Sequence, residues 1–109
     1  MQAPVCLSYN RRLEKQIVSA LSSEQISERL KSVAEWKIES GELVRTFQFK
    51  DFRAAMAFVN KLADAAEEAG HHPDIDIRYN KVRLALVTHD AGGITAKDFS
   101  LAATASRLA

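Results

Sequence analysis

The sequence predicts an α+β domain: a four-stranded antiparallel sheet with three helices packed on one face, in the order α-β-β-α-β-β-α. Three observations carry this expectation. Two pairs of strand-like segments are each joined across a tight turn, at Ser40-Gly41 and Asn80-Lys81. A long helical stretch over residues 52–69 separates the pairs. Capped amphipathic segments stand before the first pair and after the second. Hairpins linked by helices favour a sheet with its helices layered on one side.

The elements follow in order. Residues 1–20 carry no firm period and are expected to form an N-terminal extension, with at most a helical turn around Leu13–Val18. The domain is expected over 21–109. Ser22 and Gln25 have capping-box spacing, and Leu21 with Ile26 can close a hydrophobic staple. Ile26, Leu30 and Val33 then recur at helical spacing, which predicts a helix over 23–34. Trp36–Glu39 and Leu43–Phe49 read as strands. In the second, Leu43, Arg45, Phe47 and Phe49 share one face. Arg45 breaks that apolar face, which suggests a place at the sheet margin. Trp36 and Phe47 are large aromatics expected in the core.

Asp51 suits the N-cap of the long helix, and Phe52, Ala55, Met56, Val59, Leu62, Ala63 and Ala66 form its expected buried stripe. Gly70 suits a left-handed C-terminal position, and Pro73 blocks continuation. Ile75, Ile77 and Tyr79 alternate with polar residues in a third strand, and Val82, Leu84 and Leu86 in a fourth. Gly92-Gly93 interrupts the chain. Thr95 with Asp98 is a second capping box, opening an alanine-rich helix over 96–107.

Composition narrows the function. The formal charge is +1, from 15 basic and 14 acidic residues, without the basic excess usual for nucleic-acid binding. The lone Cys6 allows no internal disulfide, which fits a reducing, cytoplasmic setting; nuclear or organellar presence stays open. No apolar run approaches the roughly 20 residues that span a bilayer, and the N-terminus lacks a signal-peptide pattern.

All three histidines, His71, His72 and His89, lie within residues 71–89. His71-His72 follow the long helix, and His89 closes the fourth strand. If the second hairpin folds as read, all three stand at one rim of the sheet. Glu67 lies one helical turn before His71, and Asp98 begins the last helix. Histidine titrates near neutrality, so it can both hold and release a proton. Paired acid–base chemistry, such as loss of water, needs both acts. A carboxylate beside an imidazole fixes its tautomer. The bland alternatives are solvated loop histidines and a strand-end His bonded to a carbonyl. Asp98 has a purely structural reading as the capping-box carboxylate. Zinc is the third option, but adjacent histidines in extended chain point to opposite sides and make poor joint ligands.

The spacing of Glu67, His71-His72-Pro73, Tyr79, His89 and Asp98 resembles the signature of the pterin-4a-carbinolamine dehydratase family, also known as the dimerisation cofactor of a hepatocyte homeodomain factor. Trp36, the run from Phe47 to Phe52 and Tyr79-Asn80-Lys81-Val82 resemble it too, and the likeness covers about residues 20–106. It implies dehydration of 4a-hydroxytetrahydropterin, released by an aromatic amino acid hydroxylase, to quinonoid dihydropterin. Neither metal nor cofactor is implied. His71, His72 and His89 would carry the acid–base work. The same three, with Pro73, would bind the pterin. Glu67 would support His71, and Asp98 would hold the site from its helix. No single acid or base is assigned.

The resemblance also implies homodimers formed through the sheet and tetramers formed through a helix. Two departures stand out. Gly70 occupies a position that is often acidic in animal members, and Asp74-Ile75 replaces Glu-Trp. Two other functions compete: a dimerisation cofactor or coactivator that binds a transcription-factor helix, and a pterin-related helper in molybdenum-cofactor metabolism. Three retained histidines favour the enzyme.

Overall fold

Turn chemistry sets the topology. The computed structural model describes residues 19–109; the expected turn at Leu13–Val18 and Cys6 lie outside the described residues. Ser40 and Gly41 both take positive φ, 51° and 78°, and join β1 (Lys37–Glu39) to β2 (Glu42–Gln48). Two consecutive left-handed residues match the right-handed twist of the strands that they connect. Tyr79 and Asn80 join β3 (Asp74–Arg78) to β4 (Lys81–Leu86), one residue earlier than Asn80-Lys81. Tyr79 takes φ 56° there. Asn80 explains the shift. Its Nδ2 donates to the Phe49 carbonyl at 2.7 Å, and its own carbonyl accepts from the Phe49 amide at 2.9 Å.

The sheet order is β1-β2-β4-β3, antiparallel throughout. Register places Leu43 opposite Leu86, Arg45 opposite Leu84 and Phe47 opposite Val82. These residues share the face that meets the helices α1 (Ser23–Leu30), α2 (Phe52–Ala69) and α3 (Ala96–Leu108). The α+β order read from the sequence is thus the observed one. Leu43, Leu62, Val82 and Leu84 have no exposed surface, and each buried side chain of this size contributes roughly 1.5–3 kcal/mol. Trp36 and Phe47 lie in this core, edge to face at 6.0 Å.

Three local expectations are corrected. The first helix stops at Leu30, not residue 34. There the Ser32 hydroxyl donates to the Arg29 carbonyl at 2.8 Å, and the Lys31 to Val33 amides turn back over three residues. Local hydroxyl-to-backbone bonding of this kind competes with helical continuation. Val33 and Trp36 still reach the core from the turn.

Arg45 does not sit at a sheet margin. It lies on a central strand with its guanidinium 4.1 Å from the centroid of the Phe47 ring. Its Nη1 donates to Ser106 Oγ at 3.0 Å, and that hydroxyl also accepts Trp36 Nε1–H at 3.0 Å. A planar cation over an aromatic face, with one hydrogen bond to α3, makes the interior position tolerable.

The buried stripe of α2 is rotated from the expected one. Ala55, Phe58, Leu62 and Ala66 are buried, whereas Phe52 is 49% exposed and Ala63 faces solvent. Phe58 contacts both Phe47 and Phe49, with centroids at 4.8 and 5.1 Å, and this aromatic cluster fixes the helix's rotation. Phe58→Ala should therefore cost about 3–5 kcal/mol in urea unfolding, and Phe52→Ala clearly less. Equal costs would place the stripe wrongly.

Candidate active site

The exit of α2 fixes the first histidine through its backbone. Asp51 caps the start of the helix by accepting from the Ala54 amide at 2.8 Å. At the other end Gly70 takes φ 65°, its amide donates to the Glu67 carbonyl at 3.2 Å, and the His71 amide donates to the Ala66 carbonyl at 3.1 Å. This is the six-to-one and five-to-two pattern of a glycine-terminated helix. Gly70, the departure from the acidic residue of animal members, is here the residue that turns the chain. A Cβ at Gly70 would meet nothing within 4 Å, so only its backbone angle restricts substitution.

His71 turns inward. Its Nε2 lies 2.5 Å from Asp98 Oδ1, with the imidazole 12% exposed and the carboxylate fully buried. The second oxygen, Oδ2, accepts from the Thr88 hydroxyl and the Thr95 amide, each at 2.9 Å. A hydroxyl has one proton to give. Thr88 gives its proton to Asp98, so the 2.8 Å Thr88–Thr95 contact takes its proton from Thr95. Thr95 Oγ1 in turn accepts the Lys97 amide at 3.2 Å. The result is a one-directional chain from the first turn of α3 to the carboxylate that holds His71. An ionised carboxylate only accepts, so His71 Nε2 is the donor of this pair, and Nδ1 is the ring nitrogen that Asp98 does not engage.

His72 turns outward. Its Nε2 lies 2.6 Å from Glu67 Oε2, with both side chains mostly exposed, 61% and 77%. Two pairings thus replace the single expected one. Glu67 supports His72, not His71, and Asp98 takes the His71 position. Neighbours in extended chain face opposite sides, so one of the pair is aimed into the fold and the other away from it. Pro73 leads directly into β3.

His89 does not close β4. The strand ends at Leu86, and His89–Ala91 form a 3-10 turn. Thr88 and Gly93 bond to each other through both backbone amides, and Gly92 at φ 75° closes the loop. The His89 imidazole is exposed and makes no hydrogen bond or ion pair among the described residues, while its carbonyl accepts from the Gly92 amide at 3.0 Å. The loop is nevertheless anchored to His71, because Thr88, beside His89, and His71 bind opposite oxygens of one carboxylate. Register agrees: Asp74 pairs with Ala85, so the His71-His72 exit and the His89 loop leave the same end of the hairpin.

Thr88 went unnoticed in the sequence. A threonine just before a histidine at a strand end gives no period or motif, and only its register against α3 reveals the bond. Asp98 was visible twice, as a cap and as a site residue, and it serves both roles at once.

Residues 19–108 match the pterin 4 alpha carbinolamine dehydratase family. The chain belongs to that family, whose named reaction is a dehydration, a lyase reaction. It is 60% identical over 91 residues to a protein of Acidobacterium capsulatum provisionally named pterin-4-alpha-carbinolamine dehydratase, covering 84% of this chain and 99% of that one. A protein of Chloroflexus aurantiacus with the same provisional name is 61% identical over 83 residues, with coverage of 76% and 89%.

Among solved structures, a transcriptional coactivator/pterin dehydratase from Brucella melitensis superposes with a TM-score of 0.81 at 31% identity, covering 84% of this chain and 99% of that one. A pterin dehydratase-like protein described as a RuBisCO assembly factor of the alpha-carboxysome superposes at 0.56, with 26% identity and coverage of 67% and 84%.

Breaking the buried node should be costly. Asp98→Ala leaves three donors without an acceptor, and a loss of roughly 3–5 kcal/mol in unfolding free energy is expected. Asp98→Asn should cost less but weaken the Nε2–H tautomer of His71, visible in the ¹⁵N shifts of its ring. An unchanged tautomer would show that something other than Asp98 fixes it.

Proposed function

We propose that the chain dehydrates 4a-hydroxytetrahydropterin, the carbinolamine left by an aromatic amino acid hydroxylase, to quinonoid dihydropterin and water. The observation that carries this reading is the buried His71–Asp98 pair. The reaction breaks the C4a–O bond and forms a double bond between C4a and N5. The N5 proton goes to a base, and the departing hydroxyl takes a proton and leaves as water. No electrons enter or leave, so the reaction itself calls for no redox cofactor.

His71 is the base in this scheme. Asp98 holds its Nε2–H, leaving Nδ1 to receive the N5 proton, and the resulting imidazolium lies against a carboxylate. His89 delivers the other proton in this scheme, from the loop that Thr88 ties to the carboxylate holding His71. His72, steadied by Glu67, and Pro73 line the pterin, and Asp98 acts through His71 as a positioning residue. Acid–base help of this kind is worth roughly 10²–10⁴ in rate, or about 3–5 kcal/mol.

Family membership and the match to the Brucella melitensis coactivator/pterin dehydratase support the reading. A domain over 21–109, homodimers or tetramers, partnership with a hydroxylase system and a cytoplasmic site complete it. No helix among the described residues is long and apolar enough to cross a membrane. A protein-binding role is the second reading, favoured by the likeness to the RuBisCO assembly factor, where a related fold serves assembly.

A phenylalanine hydroxylase assay followed by absorbance tests the proposal. The wild-type protein should speed loss of the carbinolamine over buffer. His71→Ala and His89→Ala should each lower kcat/KM by about 10²-fold or more, with thermal midpoints that show a folded protein. No acceleration by the wild type would leave the protein-binding role.

A further inference from the structure

A cleft of about 390 Å³ runs from His71 along the groove between α2 and α3. Its size falls in the range of small-molecule sites. Lys97, Leu101, Thr104 and Arg107 line one wall, and their spacing of three or four residues places them on one face of α3. Ten residues separate Lys97 from Arg107, which at helical rise makes a trough of about 15 Å. That is longer than a bicyclic pterin nucleus. Ala65 and Ala69 form the opposite wall and leave room because their side chains are short.

Charge is distributed unevenly along the trough. Lys97 adjoins Asp98, so it stands at the His71 end. Glu68, the one carboxylate among the lining residues, lies in the last turn of α2 and so stands at the same end. Arg107 stands alone at the far end, in the last turn of α3. Its Nη2 donates to Thr104 Oγ1 at 3.2 Å, which orients the guanidinium on the cleft wall. Neither Lys97 nor Arg107 has an ion-pair partner among the described residues. A guanidinium so placed offers a paired-donor fork to a carboxylate or phosphate.

We propose that this trough accepts the side chain of the substrate, and that Arg107 selects pterin carbinolamines whose side chain is extended and ends in an anion. The inference rests on the dehydratase reading above and names the substrate class of that same site. His71 lines the end of the cleft that adjoins Lys97, so a pterin nucleus reacting there can lay its substituent along α3 towards Arg107.

The test compares three 4a-carbinolamines: one with a methyl side chain, one with a long side chain ending in a carboxylate, and one with a long side chain ending in phosphate. For the wild-type protein kcat/KM should be about fivefold higher with an anionic ending than with methyl, the gain expected of a partly solvated charge pair. The gain should sit in KM and shrink as salt is raised. Arg107→Gln should abolish it without altering turnover of the methyl substrate, and Arg107→Lys should restore part of it. Preference for carboxylate or for phosphate identifies the natural ending, and either supports the proposal. Equal kcat/KM for all three, or equal losses on all three in Arg107→Gln, would overturn it. If the wild type turns over none of them, the dehydratase reading fails and this inference falls with it. Turnover of the methyl substrate alone sinks only the inference.

Discussion

A buried carboxylate is the constraint on which the site depends. Moving an ionised group out of water costs several kcal/mol even after the protein relaxes around it. Asp98 offsets that cost with three donors, and each comes from a different part of the chain: His71 from the exit of α2, Thr88 from the loop after β4, and Thr95 from the start of its own helix. Satisfying the charge therefore requires all three segments in place together. The helix cap, the loop anchor and the orientation of an imidazole are one requirement.

The two histidines beside each other show how context divides identical side chains. His72 and Glu67 meet at nearly the same distance as His71 and Asp98, yet both stand mostly in water. Exposed pairs of that kind contribute little, because solvent competes and two long side chains must be held still. In the buried pair the carboxylate can only accept, which makes His71 Nε2 the donor. What separates them is which way the chain faces after Gly70. The glycine-terminated end of α2 sets that direction through bonds made by backbone alone.

The sequence made the architecture readable wherever local rules and burial agreed. Capping boxes at Ser22 and Thr95 and the left-handed glycine at position 70 all lie where local chemistry puts them. Legibility failed where tertiary contacts decided. Phe52 and Phe58 are equally apolar, and only the aromatic cluster with Phe47 and Phe49 selects Phe58 for the core. Arg45 looked marginal because an interior cation needs partners, and those partners, Ser106 and the Phe47 ring, come from another strand position and a distant helix. In the site, residue types and spacing singled out Glu67, the histidines and Asp98, but not the pairing. A helical turn suggests Glu67 with His71, whereas the inward turn of His71 gives it to a carboxylate 27 residues away.

The placement of charge on the two sheet faces bears on where chemistry can occur. On the face away from the helices, Glu39 lies between Lys37 and Arg83, and Arg78 is paired with Asp76. The hydrogen bond from Lys37, then that from Arg83, holds the Glu39 carboxyl below its ordinary range. Lys37 and Asp76 pair with neighbours on their own strands, Arg83 reaches Glu39 across the sheet, and all of these charged groups keep some contact with water. At the hairpin end the ladder stops, β4 gives way to the Thr88–Gly93 loop, and a buried carboxylate is reached by an imidazole with one nitrogen to spare. Proton transfer needs a group that is oriented but not fully satisfied. Of the two places, only the hairpin end offers one.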